Sequence, residues 1–160
     1  MRPLKYLLLA VLALAGAHAA MASPSLKVAK TLKLEMGAEE VWKSLGSFCA
    51  ISDWHPAVAN CEETKDGDAT VRILTLGDGG TIKEKRTGTS PTGYTYAILE
   101  SPLPVEDYSA AFEVSGDDKS ATVSWTASFA AKGKPDAEAE KVITGIFEAG
   151  LNAIKDKLAK

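Results

Sequence analysis

The chain has 160 residues, with 18 basic against 21 acidic side chains and a net charge of −3. That length suits a signal segment plus one domain with a core of its own. An acidic chain with no basic cluster argues against nucleic acid and against anionic membrane surfaces as partners.

Arg2 and Lys5 precede an unbroken apolar run over 6–15, and small residues follow at Ala17, Ala19, Ala20 and Ala22. Charge, apolar run and small residues, in that order, make a secretory signal peptide. An uncleaved anchor is the alternative, but the run is well short of the ~20 residues that cross a bilayer. Residues 1–22 are therefore expected to be removed and 23–160 to form the domain, with a periplasmic destination. Loss of Arg2 and Lys5 takes the net charge from −3 to −5. No later stretch is apolar enough to span a membrane, so no stable membrane insertion is expected after cleavage.

Residues 26–36 alternate apolar and polar, with Lys30 as the exception on the apolar face. Period two of that length predicts a strand. Gly37 ends it, and 38–45 is a short helix with acids in its first turn. A second short helix is expected over 48–55, stopped by Pro56. Strands then follow at 58–64, 70–76, 81–89 and 94–101, separated by Gly- and Asp-rich turns. Tyr108, Ala110, Phe112 and Val114 predict a further strand. Ala121, Val123, Trp125, Ala127 and Phe129 form the cleanest alternation in the chain. From Asp136 to about Leu158, Ile143, Ile146, Phe147, Gly150, Leu151, Ile154 and Leu158 recur at steps of three and four, an amphipathic helix. Gly150 lies in that stripe, where a missing side chain lets a sheet approach closely.

Cys49 and Cys61 are the only cysteines, and both lie in the exported part. An oxidising compartment favours a disulfide between them. Free or metal-binding thiols are the alternative, but zinc needs two more good ligands and the exported part has one histidine, His55. No metal site is expected. A bridge closing a loop of ~13 residues would contribute on the order of 3 kcal/mol.

One strand, two short helices, a strand meander and a long C-terminal helix make an α+β domain. The economical packing is a curved antiparallel sheet around that helix. The space between them is where a small apolar ligand would fit.

The order of elements resembles the START-like superfamily, in its bacterial polyketide cyclase/dehydrase and lipid-transport branch. The matching text runs Ala38-Glu39-Glu40-Val41-Trp42, Ser52-Asp53-Trp54-His55-Pro56, Lys83-Glu84-Lys85, Tyr94-Thr95-Tyr96, Ser101-Pro102-Leu103-Pro104-Val105 with Tyr108, and Val123-Ser124-Trp125. The resemblance implies a helix-grip fold. With a signal peptide attached, it is most similar to the MxaD-type branch, periplasmic accessory proteins of methanol oxidation. It therefore implies a noncatalytic binder of a small hydrophobic ligand or of a partner, namely a periplasmic quinoprotein dehydrogenase or its cytochrome, with no cofactor of its own. An aromatase/cyclase-type enzyme and a periplasmic carrier of lipid or hydrophobic metabolite are the rivals.

The candidate pocket takes Trp42, Trp54 and His55 from the helical segments, and Glu84 and Tyr96 from the middle strands. It is completed by Leu103, Phe112, Trp125 and Phe147. No catalytic residue is assigned. Were the protein an enzyme, His55 and Glu84 would carry the chemistry, His55 at the pocket mouth with Asp53 or Glu84 as its acid partner. The other reading has Trp54 packing over the sheet end, Pro56 setting a turn and His55 satisfying a backbone group. Glu84 shares a strand face with Ile82 and Arg86. If it points inward it needs Arg86 or Arg72 as a partner, since a buried lone carboxylate is costly; otherwise these charges form a solvated face. Pro102, Leu103 and Pro104 are either a gate over the pocket or a plain rigid turn. Nucleophile-elbow, phosphate-loop and His-Glu-x-x-His motifs are absent.

Overall fold

The computed structural model describes residues 26–159, and the expected signal peptide at 1–22 lies outside them. The elements are β1 (Leu26–Leu34), α1 (Ala38–Leu45), α2 (Ile51–Trp54), β2 (Val58–Asp66), β3 (Ala69–Leu76), β4 (Thr81–Ser90), β5 (Gly93–Glu100), β6 (Val105–Gly116), β7 (Ala121–Ala131) and α3 (Asp136–Leu158). The seven strands form one antiparallel sheet in the order β1-β7-β6-β5-β4-β3-β2. This is the expected helix-grip arrangement.

Alternation explains which face each strand buries. On β7, Ala121, Val123, Trp125, Ala127 and Phe129 are all buried, while Thr122, Ser124, Thr126 and Ser128 are not. On β1, Val28 and Leu34 are buried, and Lys30 reaches Glu148 of α3 at 2.7 Å. The exception in the pattern thus has an ion-pair partner on the helix that crosses its strand. The helix buries Ala139, Ile143, Phe147, Gly150, Leu151 and Ile154 as one stripe. It lies mainly over β1 and β7. The concave side of β3, β4 and β5 is left facing a space rather than a helix.

Gly150 is where the helix comes closest to its neighbours. A Cβ there would stand 2.8 Å from ring atoms of His55 and Trp125, and 3.0 Å from Trp54. Three rigid rings meet at that point, so the local packing depends on the missing side chain.

Two boundaries differ from expectation. The helix expected over 48–55 is reduced to Ile51–Trp54, because Phe48 and Cys49 are held from outside. The Phe48 carbonyl accepts a hydrogen bond from Arg72, and Cys49 is disulfide-bonded to Cys61 with the Cα atoms 5.5 Å apart. Strand β6 starts at Val105, ahead of Tyr108, and interrupts its pairing to β7 between Glu106 and Ser109. Asp107 there has φ 50°, a bulge that lets the strand begin directly after Pro104 and still aim Tyr108 inward.

Candidate functional site

A cavity of about 320 Å³ lies between α3 and the concave side of the middle strands. Strands β3 and β4 supply Leu74, Ile82 and Glu84, and β5 and β6 supply Tyr96, Ile98 and Tyr108. Helix α3 closes the opposite side with Val142, Ile143, Ile146 and Phe147. Ile51, His55 and Val58 wall one end, and Leu103 of the β5–β6 loop enters from another. Trp125 of β7 stacks on Phe147 with ring centroids 4.2 Å apart, fixing the wall between sheet and helix. The lining is almost wholly apolar.

Of the sequence candidates, His55, Glu84, Tyr96, Leu103, Trp125 and Phe147 border the cavity. Trp42, Trp54 and Phe112 do not. Trp54 and Phe112 stack on each other at 5.5 Å and meet the Trp125 ring edge-on, so they fill the core behind the cavity. Trp42 is half-buried on α1, covering Gly46 and packing 6.2 Å from Tyr94. The sequence candidates leave out eleven lining residues, among them Ile51, Leu74, Ile82, Ile98 and Tyr108. Period two offered a signal for two of them, since Ile82 shares a face with Glu84, and Ile98 with Tyr96.

The charged group of the site is a buried pair. Strand register places Arg72 directly across from Glu84, and Arg72 Nε donates to Glu84 Oε2 at 2.6 Å. The guanidinium also donates to the Phe48 carbonyl and, at 3.5 Å, to the Tyr94 hydroxyl. It lies 4.1 Å from the Phe48 ring centroid and 5.1 Å from that of Tyr96. These contacts replace the water that burial removes. Burial pushes the Glu84 carboxyl above its ordinary range, and Arg72 offsets part of that. Burial alone would lower the Arg72 pKa, but Glu84, Tyr94 and Tyr96 carry it above its ordinary value. Arg86 is not the partner of Glu84; it turns to the Thr70 hydroxyl at 3.0 Å. A second polar contact sits nearby, where Trp125 Nε1 donates to the Tyr96 hydroxyl at 2.9 Å.

His55 is buried, and backbone groups hold both its nitrogens. The Ala57 N–H donates to Nδ1 at 3.2 Å, which makes Nδ1 the acceptor nitrogen. The ring proton then lies on Nε2 and is donated to the Ile146 carbonyl at 3.0 Å. Neither Asp53 nor Glu84 hydrogen-bonds the ring, so the geometry follows the reading in which His55 satisfies backbone groups and not the one that gives it an acid partner. The ring therefore ties the α2 turn to α3 and has no free lone pair or proton for a substrate. Burial lowers its pKa, opposed by the Ile146 hydrogen bond, and Arg72 lowers it further.

A pH dependence follows from that shift. The unfolded histidine takes up a proton below about pH 6.5, the native one only at lower pH. The contribution of His55 is thus full above pH 6.5 and is lost as pH falls through its folded pKa. Urea melts at pH 7.5 and 5.5 should show a loss of at most about 1.4 kcal/mol from this source, absent in His55→Gln. Glu84 works in the opposite direction, so the difference between the two proteins isolates the histidine.

The loop between β5 and β6 is tied at several points. The Leu103 N–H donates to the Ser101 hydroxyl at 3.2 Å, the Val105 N–H to the Leu103 carbonyl at 2.8 Å, and the Lys132 N–H to the Pro104 carbonyl at 3.0 Å. Leu103 reaches the cavity, with Pro102 and Pro104 stiffening the backbone on either side.

A curved antiparallel sheet gripping one long helix around an apolar cavity defines the START-like class of folds. A START superfamily protein from Mycobacterium smegmatis superposes with a TM-score of 0.71 at 14% identity, over 83% of this chain and 97% of that one. The chain belongs to the polyketide cyclase/dehydrase and lipid transport family, whose model matches residues 25–159. It is similar to the protein XoxI from Bacillus cereus, at 27% identity and TM-score 0.79, over 85% of this chain and 97% of that one. The ZhuI aromatase/cyclase from a Streptomyces species shares the fold at 20% identity and TM-score 0.68, over 84% and 93% of the two chains. No curated protein matches the sequence.

Proposed function

We propose that the protein is a noncatalytic periplasmic binding protein that holds a small apolar molecule between α3 and the sheet. One observation carries the reading. The cavity is apolar and about 320 Å³ in volume, and its only histidine spends both nitrogens on backbone groups. A cavity near 150 Å³ accepts benzene, so this one suits a molecule of about twelve non-hydrogen atoms. The leader at 1–22 and the Cys49–Cys61 disulfide support export to an oxidising compartment.

Within that reading the protein is an MxaD-like accessory factor of a periplasmic quinoprotein dehydrogenase, the cavity serving ligand or partner recognition. The support is the sequence resemblance across the Trp-His-Pro and Leu-Pro-Val-x-x-Tyr segments together with the signal-peptide pattern of residues 1–22. Leu103, between Pro102 and Pro104, is the residue through which the loop would gate the cavity.

Native mass spectrometry of the protein recovered from periplasm tests the binding role. A small bound mass released on unfolding is the expected result, and an empty protein that binds no apolar probe overturns it. Calorimetry against a periplasmic methanol dehydrogenase tests the accessory role, with a micromolar complex expected and no heat at that concentration counting against it.

A further inference from the structure

The lining is apolar apart from a few polar atoms, and the one charged group among them is asymmetric. Glu84 is nineteen-twentieths buried and borders the cavity. Its Oε2 is committed to Arg72 Nε. Its Oε1 has no hydrogen-bond partner among the described residues, yet it is not sealed off as a buried orphan. The other polar atoms around the cavity are neutral, and apart from the Tyr108 hydroxyl they are engaged. His55 is bonded on both nitrogens, and the Trp125 N–H is given to Tyr96. The positive partner does not itself face the space: Arg72 is fully buried behind Glu84, held by Phe48 and Tyr94.

From this geometry we infer that the ligand is an apolar molecule carrying one hydrogen-bond donor, a hydroxyl or an amine, that is given to Glu84 Oε1. The inference rests on the binding role proposed above and narrows its substrate class. A carboxylate oxygen is acceptor-only, so it rewards a donor and repels a lone pair. The Tyr108 hydroxyl, also on the lining, is neutral and can serve a donor or an acceptor, so the charged Glu84 oxygen is the group that discriminates between ligands. The same oxygen disfavours a fatty acid or any other anionic tip, which would bring like charge onto a desolvated carboxylate. Cross-strand register fixes the position of the acceptor, since Arg72 and Glu84 are direct partners on β3 and β4. The ligand should therefore enter with its polar end toward the sheet and its apolar body against Ile143, Ile146 and Phe147 of α3.

Two probes of nearly equal size separate donor from acceptor. 2-Naphthol carries an O–H, whereas 2-methoxynaphthalene keeps the oxygen and loses the proton. Both should be titrated into the oxidised protein and followed by NMR shifts of residues lining the cavity. The expected result is 2-naphthol binding about tenfold tighter, the worth of one hydrogen bond to a charged acceptor. In Glu84→Gln, the amide oxygen can accept from Arg72 and the NH₂ group then faces the cavity, so the preference should fall to about one or reverse. Equal affinity of the two probes for the wild-type protein, or tighter binding of the methyl ether, overturns the inference while leaving the binding role standing. Failure of both probes to bind overturns the binding role and the inference with it. Should Glu84→Gln not fold, the wild-type ratio decides alone.

Discussion

Arg72→Leu is expected to cost about 3–5 kcal/mol, the largest single effect in the molecule. The substitution removes the guanidinium from between the Phe48 and Tyr96 rings and strands Glu84 as a buried carboxylate without a partner. It also orphans the Phe48 carbonyl, which loses the donor that fixes the turn into α2. The damage should depend on pH in a definite sense. Without Arg72, the Glu84 pKa rises further above its ordinary value, so the native state binds a proton that the unfolded chain lacks. Stability is then recovered as pH falls toward the ordinary carboxyl range and lost again as pH rises through the folded pKa. Denaturant melts of the variant at pH 5 and pH 8 check this, and a variant equally unstable at both would contradict it. The double variant Arg72→Leu/Glu84→Leu should regain much of the loss, because replacing both members of a buried pair by apolar groups is often close to neutral. A double variant as unstable as the single one would show that the aromatic and carbonyl contacts of Arg72, rather than its charge, hold the site.

Reduction of the Cys49–Cys61 disulfide is expected to cost about 3 kcal/mol, or on the order of 10 °C in melting temperature. The bridge ties the segment ahead of α2 to β2, the edge strand of the sheet. That segment supplies the Phe48 carbonyl and the Phe48 ring over Arg72, and the α2 turn it leads into ends in the His55 ring against α3. Loss of the bridge should therefore loosen the cavity as well as lower the melting point. The pair of measurements is a thermal melt and a titration of apolar probe, each with and without reductant. Cys49→Ser/Cys61→Ser should reproduce both effects; a melting point unchanged by reductant would show the bridge to be structurally idle.

Much of the fold is legible in the sequence, for a local reason. The alternation on β7 and the three-and-four spacing on α3 report which side of each element is buried, and burial is the property that composition encodes most directly. The irregular positions are legible only in part. Lys30 breaks the β1 pattern visibly, but its partner Glu148 lies 118 residues away on another element. Glu84 can be seen to need a counter-charge, yet Arg72 and Arg86 differ only in strand register, which no local pattern states. The pocket candidates divide for the same reason. Trp54 and Phe112 look as suitable as Trp125, but they stack on each other and so leave the cavity. Tyr108 reaches it only because a bulge at Asp107 re-aims its strand. Cavity walls are decided by which large side chains find one another first, a tertiary fact.

The position of β1 has a consequence for the order in which the molecule assembles. Leu26 pairs with Phe129 and Leu34 with Ala121, so the first strand of the domain closes onto the last. Its other cover, α3, is made later still. Every contact that secures β1 thus spans most of the chain, and the loop that must close is among the longest the domain can offer. Hairpins from β2 through β7 can form from near neighbours, whereas β1 waits until the C-terminal third exists, which slows completion of the sheet. Until residues 121–158 are in place, β1 has neither its strand partner nor its helix cover, so the N-terminal end of the domain is the last part to be secured.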